Sequence, residues 1–293
     1  MVRATAISPY VKGALAGGPA GHIEAVFTTS FNIELGGRLV HVGGDDDLFS
    51  CVGMSVPRAE LTKILEVARP RNVVIPRGDN LRLYTRAGIV AIDISGAEIR
   101  DCSAPVAGRD TASWSLDRLR PLPLADLVGL PLDVETVESL KTLTNPSAQA
   151  DEVKAAITRL IGRGPGLTPS GDDVLLGWAL ALRSCGSDAV PANRIAARSY
   201  GKTTDVSIAY AEALCAGWVN PVYADLLRAG SARDAAAFDR AVGLIRTIGH
   251  TSGCDGLMGL ALGFSYVTAR AASPIHSQGF AKPTASPICS LNL

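Results

Sequence analysis

Apolar and polar positions alternate with period two over much of the first half of the chain. "FNIEL" sets Phe31, Ile33 and Leu35 against polar neighbours; Gly36-Gly37 follows, then "RLVHV". Two short alternating runs joined by Gly-Gly predict a β-hairpin. "NVVIP-RGDN-LRLYT" repeats the form, and "GIVAIDIS" predicts a further strand. One helix is expected among them, over "PRAELTKILEVAR", with Leu61, Ile64, Leu65 and Ala68 on one face and Pro57 near its first turn. From about Arg120 the period changes. "RPLPLADLVGLPLD" carries Pro121, Pro123 and Pro131 and reads as a boundary or linker. Beyond it the spacing is helical. Val153, Ile157, Leu160 and Ile161 share a face, with Gly162 as the stop; Phe238, Val242, Ile245 and Ile248 share another, with Gly249 as the stop. "TDVSIAYAEALCAGW" follows the same period, and the residues after about Arg270 follow none.

The expectation is an α+β protein. A β-rich N-terminal domain with one or two helices spans 1–133. An all-helical C-terminal domain spans 134–272, and an irregular tail spans 273–293.

The helical half contains a repeat. Ser170-Gly171-Asp172-Asp173-Val174-Leu175-Leu176-Gly177 and Ser252-Gly253-Cys254-Asp255-Gly256-Leu257-Met258-Gly259 share the pattern S-G-x-D-x-L-x-G, and A-L follows one residue later in both. The second copy lies 82 positions after the first (252 − 170). Each copy follows a helix ending in glycine and opens a strongly apolar helix. Ser170 and Ser252 are expected at the N-cap. Free N–H groups in a helix's first turn bind anions, and a glycine at the next position (Gly171, Gly253) lets a ligand approach the backbone. Gly164, Gly166, Thr168, Asp172 and Thr251 complete the candidate binding set. Asp173, Asp255 and His250 are the candidate catalytic groups, for proton transfer or for orienting a substrate. Mg²⁺ is a candidate cofactor for the carboxylates; no metal ligand set is otherwise implied. The plain alternative is that both S-x-x-D stretches only cap helices. "Ser231-Ala-Arg-Asp234" has the same form without the glycine. A glycine just inside a helix, twice, gains a cap nothing.

Other features carry less. Gly43-Gly44-Asp45-Asp46-Asp47 reads as a solvated turn, and His41 as a structural histidine in a strand. Thr203 or Thr204 suits an N-cap, and Arg163 is either an anion partner or a surface charge. The glycines at 162, 164 and 166 lack the strand and the G-K-[ST] of a phosphate loop.

At 47% hydrophobic and 19% charged the chain can bury a large core. The formal net charge of zero, with no basic cluster, speaks against nucleic-acid binding. The apolar runs are too short to span a bilayer, the first residues lack a signal-peptide core, and six scattered cysteines form no CxxC. A cytoplasmic chain with reduced thiols and no membrane association is expected.

"GPGLTPSGDD" (Gly164 to Asp173) and "GHTSGCDGLMG" (Gly249 to Gly259) resemble the signature segments of the family containing the AllH-type subunit of oxamate carbamoyltransferase. The resemblance covers roughly Ile157 to Gly263. It implies a subunit of a multi-subunit transferase in anaerobic purine (allantoin) catabolism, where oxalurate and phosphate give oxamate and carbamoyl phosphate. The implied ligand is a small anion held at paired helix N-termini, and the implied partners are other subunits. Two readings follow: an enzymatic component of carbamoyl transfer, or a non-catalytic anion-binding or scaffolding subunit.

Overall fold

The computed structural model of the chain describes residues 1–15, 18–186 and 190–272; the expected tail at 273–293 lies outside the described residues. The protein is α+β, as the periodicities predict. Its strands are β1 (Val2–Arg3), β2 (Ala6–Ile7), β3 (Gly21–Val26), β4 (Phe31–Leu35), β5 (Arg38–Gly44), β6 (Gly53–Val56), β7 (Val73–Arg77), β8 (Asn80–Thr85), β9 (Gly88–Asp93) and β10 (Glu98–Ile99). They form one sheet in the order β1-β9-β8-β7-β3-β4-β5-β6-β2-β10.

Both expected hairpins are present. Leu35 pairs with Arg38 across Gly36-Gly37, and both glycines have positive φ. Arg77 pairs with Asn80 across Gly78-Asp79. These left-handed turns match the twist of the strands they join. The sheet curls because one short stretch serves both of its ends. Val2–Arg3 pairs with β9, while Ala6–Ile7, three residues on, pairs with β6 and β10. The backbone between them bonds to both sides, Ala4 N–H to Asp93 O and Thr5 N–H to Ser55 O, each at 2.8 Å. Closure of this kind removes exposed strand edges. Ile23, Phe31, Ile33, Val40, Leu81 and Leu83 are fully buried in the core that results.

Two helices accompany the sheet. The expected one is α2 (Arg58–Val67), after α1 (Pro9–Leu15), which the sequence reading missed. At seven residues with a central Gly13, α1 is too short to show a period. The acidic turn is a clasp for Arg58, which pairs with Asp46 and Asp47. His41 shares a hydrogen bond with Asn32 at 3.0 Å, and burial lowers its pKa.

The helices that follow are α3 (Arg109–Leu119), α4 (Leu124–Leu127), α5 (Val134–Thr144), α6 (Ala150–Leu160), α7 (Ser170–Ser184), α8 (Val190–Ser199), α9 (Asp205–Cys215), α10 (Pro221–Ala232), α11 (Ala235–Ile245) and α12 (Ser252–Ala272). Of these, α3 and α4 lie in 1–133 beyond the one or two helices expected there, while α5, α8 and α10 fall in the stretch expected to be helical without a period of their own; Gly, Pro and Ser interrupt or flank several of them. The centre of the bundle is the α7–α12 pair, the most extensive element contact among the described residues. Both α3 and α4, which precede Asp133, pack on α12. The sheet meets the bundle through α9, whose Ala209 and Ala213 are buried among the sheet's core residues. No helix of the described residues is long and apolar enough to cross a membrane.

Candidate functional site

The two motif copies lie side by side at the N-terminal ends of α7 and α12. Their glycines explain how closely. A Cβ added to Gly177 would stand 2.2 Å from Gly256 O; one added to Gly259 would stand 2.1 Å from Val174 O. Only glycine permits this approach of two backbones. Gly171 and Gly253 serve a similar purpose. An added Cβ would stand 2.0 Å from Leu160 O at Gly171 and 1.8 Å from Ile245 O at Gly253. Each therefore presses its helix start onto the end of the helix before it. Their N–H groups are also engaged, Gly171 N–H with Arg163 O at 2.8 Å and Gly253 N–H with Ile248 O at 3.1 Å.

Ser170 is not the N-cap that its sequence suggested. Pro169 occupies that position and Ser170 begins the helix itself, with no side-chain cap bond at this terminus. Ser252 is likewise the first residue of α12. In Ser231 to Asp234, Ser231 lies within α10 and Asp234 itself caps α11. The two serine hydroxyls lie instead beside the carboxyl of the opposite copy, Ser170 Oγ without a hydrogen-bond partner of its own. Asp255 is wholly buried, and Ser170 is 1% exposed. Burial raises the Asp255 pKa, while the hydroxyls of Ser170 and Thr251 and the N–H groups of Gly129 and Leu130 pull it back. Gly129 N–H donates to Asp255 Oδ1 at 3.0 Å. Burial also raises Asp173 well above the usual carboxylate range, against the hydroxyls of Ser252 and Thr168, with the Asp255 charge adding to the rise. The Thr168 and Ser252 hydroxyls are 2.8 Å apart. One buried oxygen of each carboxyl, Asp173 Oδ2 and Asp255 Oδ2, has no hydrogen-bond partner within the protein.

Asp173 opens on a cavity of about 200 Å³. Thr168, Ser252, Gly177 and Gly256 line it beside Asp173. Leu176, Leu180, Leu214, Trp218, Val219 and Ile248 form apolar walls, and Tyr210, Tyr223, Asn220 and Cys51 close it. The sheet half thus reaches the cavity through Cys51. Asn220 Oδ1 accepts from Cys51 N–H at 2.8 Å, and the Ser50 and Tyr210 hydroxyls are 2.9 Å apart. Burial raises the Tyr210 pKa to about 12, raises Tyr223 further, and pushes the Cys51 thiol well up. At neutral pH the cavity therefore offers two phenol donors and an un-ionised thiol. Among the described residues, no Lys, Arg or His lines it.

The remaining candidates lie elsewhere. Asp172 does not line the cavity: its Oδ1 accepts from Gly162 N–H at 2.9 Å and its Oδ2 from the Thr203 hydroxyl. It ties the Gly-Pro-Gly loop to the start of α9, which Thr204 caps. Arg163 pairs with Asp133. Gly164 sits over Ser170, with an added Cβ 3.0 Å from Ser170 N, and Gly166 is exposed. His250 is exposed and is not a lining residue of the cavity. Tyr210, Tyr223, Asn220 and Gly129 were missed. They come from three separate segments, Asn220 and Tyr223 together at the start of α10, and Gly129 lies in the Pro-rich stretch read as a boundary. Among the described residues no three His, Cys, Asp or Glu side chains cluster as metal ligands. Asp173 and Asp255 alone are a poor set for Mg²⁺, which takes near-ideal octahedral oxygen coordination.

No curated protein matches the chain, and no solved structure matches it. Residues 160–264 match the family model described as oxamate carbamoyltransferase subunit AllH. That span holds both motif copies, the α7–α12 pair to Phe264, and most of the cavity wall. Over these residues the chain is similar to the AllH family.

Proposed function

We propose that this chain is a subunit of an oxamate carbamoyltransferase-like system, and that the cavity beside Asp173 holds its small amide substrate. The observation that carries the reading is Asp173, which lines a cavity within the family-matched span and has one buried carboxyl oxygen without a partner in the protein. Buried polar atoms in native proteins are nearly all paired, and an exception in a cavity is a mark of ligand binding. The substrates of such a system, oxalurate and oxamate, carry amide N–H groups beside carbonyl oxygens. Asp173 accepts from the N–H or, when protonated, donates to the carbonyl. Tyr210 and Tyr223, kept protonated by burial, donate to oxygen that gains charge as the carbamoyl group transfers.

The cavity lining supports a division of labour. Phosphate in this cavity would meet a carboxyl and apolar walls with no cation to offset it. The thiol that lines it, Cys51, is held un-ionised. Both observations favour a chain that positions the amide substrate while partner subunits supply the phosphate site.

Calorimetric titration of the full chain with oxamate, carbamoyl phosphate and phosphate tests this. Oxamate binding that Asp173→Leu reduces by about tenfold or more is expected, the worth of one good hydrogen bond to a buried group. Phosphate alone should bind weakly. Oxamate binding equally well to the variant would move the site elsewhere.

A further inference from the structure

The helix pair is close to two-fold symmetric, and its two carboxyls are nevertheless served differently. Gly177 faces Gly256 O and Leu260 N; Gly259 faces Val174 O and Trp178 N. Adding 82 to 174, 177 and 178 gives 256, 259 and 260, so each contact has its counterpart in the other. Asp173 and Asp255 are equivalent on this relation. Each has the serine hydroxyl of the opposite copy and a threonine hydroxyl from its own side beside it: Ser252 and Thr168 for Asp173, Ser170 and Thr251 for Asp255. Asp255 then receives the backbone N–H of Gly129, from the loop between α4 and α5. An added Cβ on Gly129 would stand 2.5 Å from Thr251 Oγ1 and 2.6 Å from Ser170 Oγ, so that backbone fills its place fully. Among the described residues no backbone N–H donates to Asp173. The space beside it is the cavity.

We propose that the group standing at Asp173 is an uncharged amide-type N–H, placed where Gly129 N–H stands at Asp255, with the ligand's apolar body on the cavity walls and any carboxylate, oxamate's included, turned away from Asp173. The inference rests on the cavity's being a ligand site and narrows what enters it. An anionic group there would lie against a carboxyl without a neighbouring cation, which is costly in an apolar surround. A neutral amide pairs with a carboxyl, protonated or not, through its N–H. The apolar body meets Leu176, Leu180, Leu214 and Trp218, and Asn220 and the phenols remain for a second polar group.

The test is calorimetric titration of the full wild-type chain with benzamide, N,N-dimethylbenzamide, benzoate and oxamate. Benzamide should bind about tenfold more tightly than the dimethyl amide, which has no N–H, and than benzoate. In Asp173→Leu that preference should fall to about one. The wild-type comparison stands by itself should the variant fail to fold. Dimethylbenzamide or benzoate binding as tightly as benzamide, or benzamide not binding, overturns the inference. Oxamate binding without benzamide overturns it and leaves the proposed function standing. Benzamide with its N–H preference but without oxamate supports the inference and removes oxamate as substrate. Neither binding sinks both.

Discussion

Gly177→Ala is the sharpest test of how α7 and α12 are joined. The new Cβ would stand 2.2 Å from Gly256 O and 3.0 Å from Leu260 N. A carbon–oxygen contact settles at about 3.3 Å, so the helices must separate by about 1 Å. The obstructing atoms are backbone, and no rotamer change can relieve them. Overpacking of this kind costs about 1–3 kcal/mol, while Gly→Ala inside a helix returns up to about 1 kcal/mol. A net loss of about 1–2 kcal/mol is expected. Gly243→Ala is the control. Gly243 lies in α11, and an added Cβ there meets nothing within 4 Å. It should gain about 0.5–1 kcal/mol. Urea unfolding midpoints, compared at equal m-value, separate the two outcomes. Gly259→Ala should match Gly177→Ala, because its Cβ would meet Val174 O at 2.1 Å. The double variant should cost less than the sum, since helices already moved apart admit the second methyl more easily. Gly177→Ala as stable as wild type, or indistinguishable from Gly243→Ala, would refute the close-packed pair.

Two further outcomes follow from the buried carboxyls. Asp173 has a pKa raised by burial, so its proton is held more tightly in the fold than in the unfolded chain. Below the unfolded value of about 3.9 both states are protonated; as pH rises through it, the unfolded chain ionises and the fold lags, so stability falls up to the folded pKa. Asp173→Asn removes that slope, and its melting temperature relative to wild type should therefore rise from pH 4 to pH 8; a constant difference would contradict this. Asp172→Ala should destabilise by about 1–3 kcal/mol, because it strips the acceptor from Gly162 N–H and Thr203. A urea midpoint unchanged from wild type would show that Asp172 does not hold the loop.

The fold was legible where structure is local. Gly36-Gly37 and Gly78-Asp79 name their own hairpins, because few other residues accept those turns. Closure of the sheet was not legible. It depends on Val2–Ile7 meeting strands some 50 and 90 residues away, and pairing over such distances leaves no local period. The doubled motif was visible as a repeat, but the reason for its glycines was not. Gly171 and Gly253 read as openings for a ligand, whereas backbone carbonyls fill the space beside them. His250 recommends itself by its chemistry alone, and an exposed turn carries it outside the cavity lining. Tyr210 and Tyr223 sit on helices whose periods hide them as ordinary half-buried aromatics.

Capping remains the natural rival explanation of S-x-x-D, and the chain itself argues against it. Where this protein caps a helix, it does so in the usual way. Asp133 accepts from Thr136 N–H at 2.9 Å, Thr204 from Ser207 N–H at 3.2 Å, and Asp234 from Ala237 N–H at 2.9 Å. Ser170 makes no such bond, and a proline holds the cap position before it. Burying Asp173 and Asp255 together opposes folding, through desolvation and through their mutual repulsion. The Gly129 loop offsets part of that cost for Asp255. Among the described residues nothing equivalent does so for Asp173, beside which lies a cavity bounded by phenols and leucines. Punctuation of two helices does not require that expense. A ligand that brings its own N–H to Asp173 accounts for it, and accounts as well for why the two copies, alike in sequence, differ in what stands beside them.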